Sequence, residues 1–134
     1  MELKCSLCPR KCGAERTETN PAGICRSPLL PRVARAAAHF GEEPCIAGEN
    51  GAGAIFFTGC NLRCVFCQNR DISRGQGGKL LTVSQLRETM LRLRDEGVDC
   101  IDLVTGTHYI PAIAEALSDI ELGIPVVWNT SGYE

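Results

Sequence analysis

A chain of 134 residues, 44% hydrophobic and 22% charged, has material for one domain, or for one small module plus part of a larger one. Its formal net charge of −2, with nothing basic concentrated along it, gives no electrostatic reason to expect nucleic acid or an anionic membrane as a partner. The N-terminus Met1-Glu2-Leu3-Lys4-Cys5 lacks an apolar signal core, and no window approaches the roughly 18 to 20 apolar residues that span a bilayer, so a soluble cytoplasmic protein is expected.

Residues 1–31 are rich in Cys, Pro and Arg and have neither helical nor alternating apolar periodicity, which predicts a small module organised by its thiols. The chain has nine cysteines, an odd number, clustered at two- and three-residue gaps without a signal peptide, so metal ligation is a better reading than disulfides. Cys5, Cys8, Cys12 and the more distant Cys25 supply four thiols to a segment that has little core, and a metal would replace that core. Their spacing is nearer to iron–sulfur sites than to the paired knuckles of a zinc ribbon, and both metals stay open.

Residues 32–53 read as a linker or extension. Within it Val33 to Phe40 is strand or helix, with strand preferred because Val33, Ala37 and the flanking arginines roughly alternate before Gly41. Gly48, Gly51 and Gly53 mark a turn into Ala54-Ile55-Phe56-Phe57-Thr58, a short apolar run suited to a strand buried on both faces.

Residues 54–134 alternate in type. Thr82 and Gln85 fit a capping box for a helix in which Val83, Leu86, Met90 and Leu93 recur at helical spacing until Gly97, with the charged residues from Arg87 to Glu96 as its exposed face. A strand follows at Cys100–Val104. Pro111 then opens a helix with Ile113, Ala114, Leu117 and Ile120 on one face, closed by Gly123, and Pro125–Trp128 is the third strand. Strand, helix, strand, helix, strand with short connections predicts an α/β fold with parallel strands. In such sheets functional groups gather at the carboxyl ends of the strands, here residues 58–74, 105–109 and 129–133.

The first of these loops carries Gly59-Cys60-Asn61-Leu62-Arg63-Cys64-Val65-Phe66-Cys67. Three thiolates can hold three irons of a cubane and leave the fourth open to a ligand, whereas a structural site normally takes four protein ligands. Isolated Cys45 and Cys100 fit small buried hydrophobes better than ligands, and Trp128 fits the core. Of the histidines His39 and His108, the second stands on the functional rim.

The segment from Gly59 to Asn69 resembles the signature of the radical S-adenosylmethionine (SAM) superfamily. The resemblance implies that Cys60, Cys64 and Cys67 hold a 4Fe–4S cluster, that SAM chelates its fourth iron, that Phe66 lies against the adenine, and that the strand before the loop begins a partial (βα)6 TIM-like barrel. It also implies an electron donor such as flavodoxin or ferredoxin. More narrowly, Gly41 to Cys45, Phe56 to Asn69, Leu103 to Tyr109 and Asn129 to Tyr133 resemble a branch similar to pyruvate formate-lyase-activating enzyme. In activating enzymes a Gly-Gly-Glu segment contacts the SAM amino group where Thr105-Gly106-Thr107-His108 stands here without matching it, and an Asp-Thr-Asn-Gly segment stands where this chain has Asn129 to Gly132. Thr105, His108, Asn129 and Ser131 are accordingly the candidate SAM contacts.

These readings describe a radical SAM iron–sulfur protein that makes a 5′-deoxyadenosyl radical for hydrogen abstraction, with a protein substrate of the kind that activating enzymes take as one expectation. The resemblance predicts six barrel strands and the sequence ends after the third, so the expected fold is the N-terminal half of the barrel, awaiting a C-terminal half. The alternative function is a non-catalytic iron–sulfur module or a truncated remnant of such an enzyme.

Overall fold

The computed structural model describes residues 3–5, 7–8, 10–19, 21–23, 25, 27–39, 51–59, 78–118 and 120–129. An N-terminal antiparallel ribbon pairs β1 (Leu3–Lys4) with β2 (Glu15–Arg16). The remaining strands, β3 (Arg32–His39), β4 (Ala52–Phe57), β5 (Lys79–Leu80), β6 (Cys100–Val104) and β7 (Val126–Asn129), form one sheet in the order β5-β3-β4-β6-β7. Helix α1 (Val83–Asp95) connects β5 to β6, and α2 (Ile110–Leu117) lies between β6 and β7.

Strands β4, β6 and β7 are parallel, while β3 runs antiparallel to both β4 and β5. The result is an α/β fold on a mixed sheet. The preference for strand in the Ala-rich segment is met: β3 has partners on both sides. The parallel register pairs Phe56 with Val104 and Val104 with Asn129, so the carboxyl ends of the three parallel strands finish level. Gly53 belongs inside β4 rather than to the preceding turn. A side chain there would meet Ile101, Val98 and Leu93 at 3.1–3.2 Å, so glycine allows α1 to approach the sheet closely.

The core lies between the sheet and the two helices. Leu86, Met90 and Leu93 of α1 are fully buried against Ile55, Phe57, Ile101 and Leu103, and each contributes about 1.5–3 kcal/mol by leaving water. All five residues of β6 are buried, including Cys100, as its central position demands. The expected capping box is present: the Gln85 N–H donates to Thr82 Oγ1 at 3.2 Å and the Thr82 N–H to Gln85 Oε1 at 2.9 Å.

Two features of the helices differ from expectation. A 3-10 turn at Thr107–Tyr109 precedes α2 and rotates its start, so Ala112, Ile113 and Ala116 face the core, Ala114 faces solvent, and the helix ends at Leu117. The basic residues of α1 are more than a solvated face. Arg87 donates to the Ala116 and Glu115 carbonyls at 3.0 and 2.9 Å, satisfying acceptors at the end of α2 where the helix dipole favours a cation. No helix among the described residues is long and apolar enough to cross a membrane.

Candidate functional site

The level finish of β4, β6 and β7 brings three segments to one edge of the sheet. After β4, Thr58 and Gly59 lead directly into the Cys60 loop. Cys60, Cys64, Cys67 and Phe66 lie outside the described residues, as does Ser131, so the geometry to be read is that of the loop's anchor. Thr58 is 1% exposed and held from several sides. Its N–H donates to the Arg32 carbonyl at 2.8 Å, and its own carbonyl accepts from His108 Nε2 at 2.7 Å and from the Tyr109 hydroxyl at 3.1 Å. Gly59 follows with φ +79°, in the left-handed region that favours glycine.

After β6, Thr105 also has a positive φ, +57°, an uncommon conformation for a β-branched residue and one that tends to be retained at functional positions. Its N–H donates to the Asn129 carbonyl at 3.0 Å, tying the second rim segment to the third. Thr105 is half-buried and Asn129 exposed, so both are on the accessible edge.

His108 is placed differently. It is only 2% exposed and turns beneath the rim, with its ring stacked beside Tyr109 at a centroid distance of 4.1 Å. A carbonyl only accepts, so Nε2 must carry the proton that it donates to Thr58, and Nδ1 carries the lone pair. Burial pulls the imidazole pKa down to about 4, aided by the charge of Arg16 and opposed by the bond to Thr58, so the ring is neutral at physiological pH.

Beneath the rim, Cys5, Cys8, Cys12 and Cys25 line one cavity together with Arg16 and His108. The fold therefore brings the four N-terminal thiols to one cavity with His108, whose ring bonds the Thr58 carbonyl just after β4. Cys5 is buried, Cys8 and Cys25 half-buried and Cys12 exposed. Burial pushes the Cys25 thiol pKa up, although the Arg16 charge and bonds to Ser27 act in the other direction. Among the described residues no three His, Cys, Asp or Glu side chains are already gathered in an arrangement that would hold a metal.

The residue that sequence reasoning missed is Arg16. It is fully buried, and its guanidinium donates to the carbonyls of Ser27 at 2.8 Å, of Pro28, and of His108 at 2.7 Å, with Cys5 Sγ at 3.4 Å. One side chain thus joins the ribbon, the Cys25 loop and the 3-10 turn after β6. The sequence signal was weak: an arginine in an arginine-rich run gives no sign of burial, and its partner His108 is 92 positions away.

A mixed α/β sheet in which the sequence following its first parallel strand carries Cys60, Cys64 and Cys67 is the arrangement expected of a radical SAM domain. The Radical SAM superfamily model matches residues 54–134, and the chain belongs to that superfamily. Membership implies a 4Fe–4S cluster and SAM as cofactors, and the donor set of the Cys60 loop, three thiols for a cubane with one open iron, fits that group.

Among curated proteins, the chain is 32% identical over 138 aligned positions to the uncharacterized protein MJ0674 of Methanocaldococcus jannaschii, covering 96% of this chain and 39% of that protein. It is 45% identical over 40 residues to the pyruvate formate-lyase-activating enzyme of Clostridium pasteurianum, covering 30% of this chain and 17% of that enzyme. The chain therefore spans well under half the length of the curated relatives it matches. No solved structure matches it.

Proposed function

We propose that this chain forms the SAM-binding half of a radical SAM enzyme of the activating-enzyme-like branch, in which the mixed sheet is the first part of a partial (βα)6 barrel. The observation that carries the reading is the common edge formed by β4, β6 and β7, where the anchor of the Cys60 loop, Thr105 and Asn129 meet inside the stretch matched by the superfamily model. Cys60, Cys64 and Cys67 would hold the 4Fe–4S cluster, which together with SAM would supply one-electron reductive cleavage chemistry for taking a hydrogen atom from substrate.

The chain's own groups position that chemistry. Thr58, fixed through both its N–H and its carbonyl, sets the direction in which the loop leaves the sheet. Phe66 is the candidate for the adenine, and Thr105, Asn129 and Ser131 are the further candidate SAM contacts. Exposure of Val126 on β7, 41%, fits further barrel strands continuing the sheet on that side. An electron donor such as ferredoxin or flavodoxin supplies the reductant. The 40-residue likeness to a pyruvate formate-lyase-activating enzyme favours a protein substrate, activated by removal of a hydrogen atom. The thiols Cys5, Cys8, Cys12 and Cys25 form a second metal site, of zinc or iron and sulfide.

Electron paramagnetic resonance tests the open iron. In the reduced, reconstituted chain the cluster signal is expected to change shape on addition of SAM and to revert when SAM is removed. A full cluster whose spectrum ignores SAM would instead favour a non-catalytic iron–sulfur module.

A further inference from the structure

The N-terminal thiols and His108 present an unexplained pair of groups to the same cavity. Nδ1 of His108 is buried and has no hydrogen-bond partner among the described residues. Leaving such an acceptor unsatisfied costs about 1–3 kcal/mol. The other ring nitrogen donates to a backbone carbonyl at 2.7 Å, and this is how a metal-bound histidine is usually held, with one nitrogen on a carbonyl and the second free for the ion.

Charge gives a second argument. Arg16 is fully buried, and among the described residues its guanidinium bonds neutral carbonyls and the Cys5 sulfur, while a second cation, Arg10, also lines the cavity. A buried cation requires a compensating negative charge. Neutral thiols do not provide it, whereas one divalent ion bound by three thiolates and a neutral imidazole carries a net charge of −1.

We propose that His108 Nδ1 is a zinc ligand, completing with three of the thiols Cys5, Cys8, Cys12 and Cys25 a Cys3His site that joins the N-terminal module to the base of the Cys60 loop. The thiols are not yet gathered, so zinc draws in the turn from Cys8 to Cys12, which is closed by a Lys11 N–H to Cys8 carbonyl bond of 3.0 Å. Zinc then fixes His108, and His108 through Nε2 fixes the Thr58 carbonyl at the root of the radical SAM loop. The inference rests on the reading of these thiols as a metal site.

The test uses the full chain with Cys60, Cys64 and Cys67 replaced by Ser, so that only the N-terminal site binds metal. Zinc is titrated into 15N-histidine-labelled protein and followed by long-range 1H–15N correlation. Only two histidines contribute, and a His39→Gln variant assigns them. Binding of about one zinc per chain should move the His108 Nδ1 resonance from the position of a bare nitrogen to that of a metal-bound one. His108→Gln, which keeps an N–H for Thr58, should weaken zinc binding by at least about tenfold. Bound zinc with an unmoved Nδ1 resonance would overturn the role of His108 and leave the thiol site standing. Binding of no zinc, or anaerobic reconstitution of the unsubstituted chain to about eight irons with zinc excluded, would overturn the zinc site itself.

Discussion

Gly59 is where the N-terminal module bears on the radical SAM loop. A Cβ added there would collide with Ser27 Oγ and stand 2.5 Å from the Cys25 carbonyl oxygen, and the positive φ strains any L side chain. Gly59→Ala should therefore destabilise the chain by more than about 1 kcal/mol and lower the iron held by Cys60, Cys64 and Cys67. Urea unfolding midpoints and iron per chain check it, and wild-type values for both would contradict it. The motif around Gly59 was legible in sequence because its cysteines have a fixed spacing. What presses on Gly59 was not legible. Arg16 gathers carbonyls from Ser27, Pro28 and His108 beside it, a convergence of distant segments that leaves no local pattern.

At the scale of elements, α1 was the most readable part of the chain, since its start is written in side chains that bond the backbone locally. Thr82→Ala removes the acceptor for the Gln85 N–H and should cost about 1 kcal/mol of stability, seen as a lower urea midpoint with an unchanged slope. An unchanged midpoint would contradict the capping box. The second helix was read less well, because the 3-10 turn at Thr107–Tyr109 shifts its buried face to Ala112, Ile113 and Ala116 and only the fold around β6 produces that turn. Strand β3 was preferred from its rough alternation, although its alanines favour helix. Its pairing with β4 on one side and β5 on the other decides it, and both interactions are long-range.

At the scale of the whole molecule, the alternation of strand and helix specified the parallel β4-β6-β7 portion, while the antiparallel β5 and β3 that complete the sheet left no comparable sign. The consequence for function is one edge where β4, β6 and β7 finish together, with a thiol-lined cavity that reaches it through His108 and its bond to Thr58. The central claim is that this edge supports SAM cleavage. Its most direct test is to incubate the anaerobically reconstituted, dithionite-reduced chain with SAM and to measure 5′-deoxyadenosine by chromatography. The account predicts 5′-deoxyadenosine accumulating with the wild-type chain and none with Cys64→Ala; wild-type protein holding a full cluster and yielding no 5′-deoxyadenosine above background would contradict it.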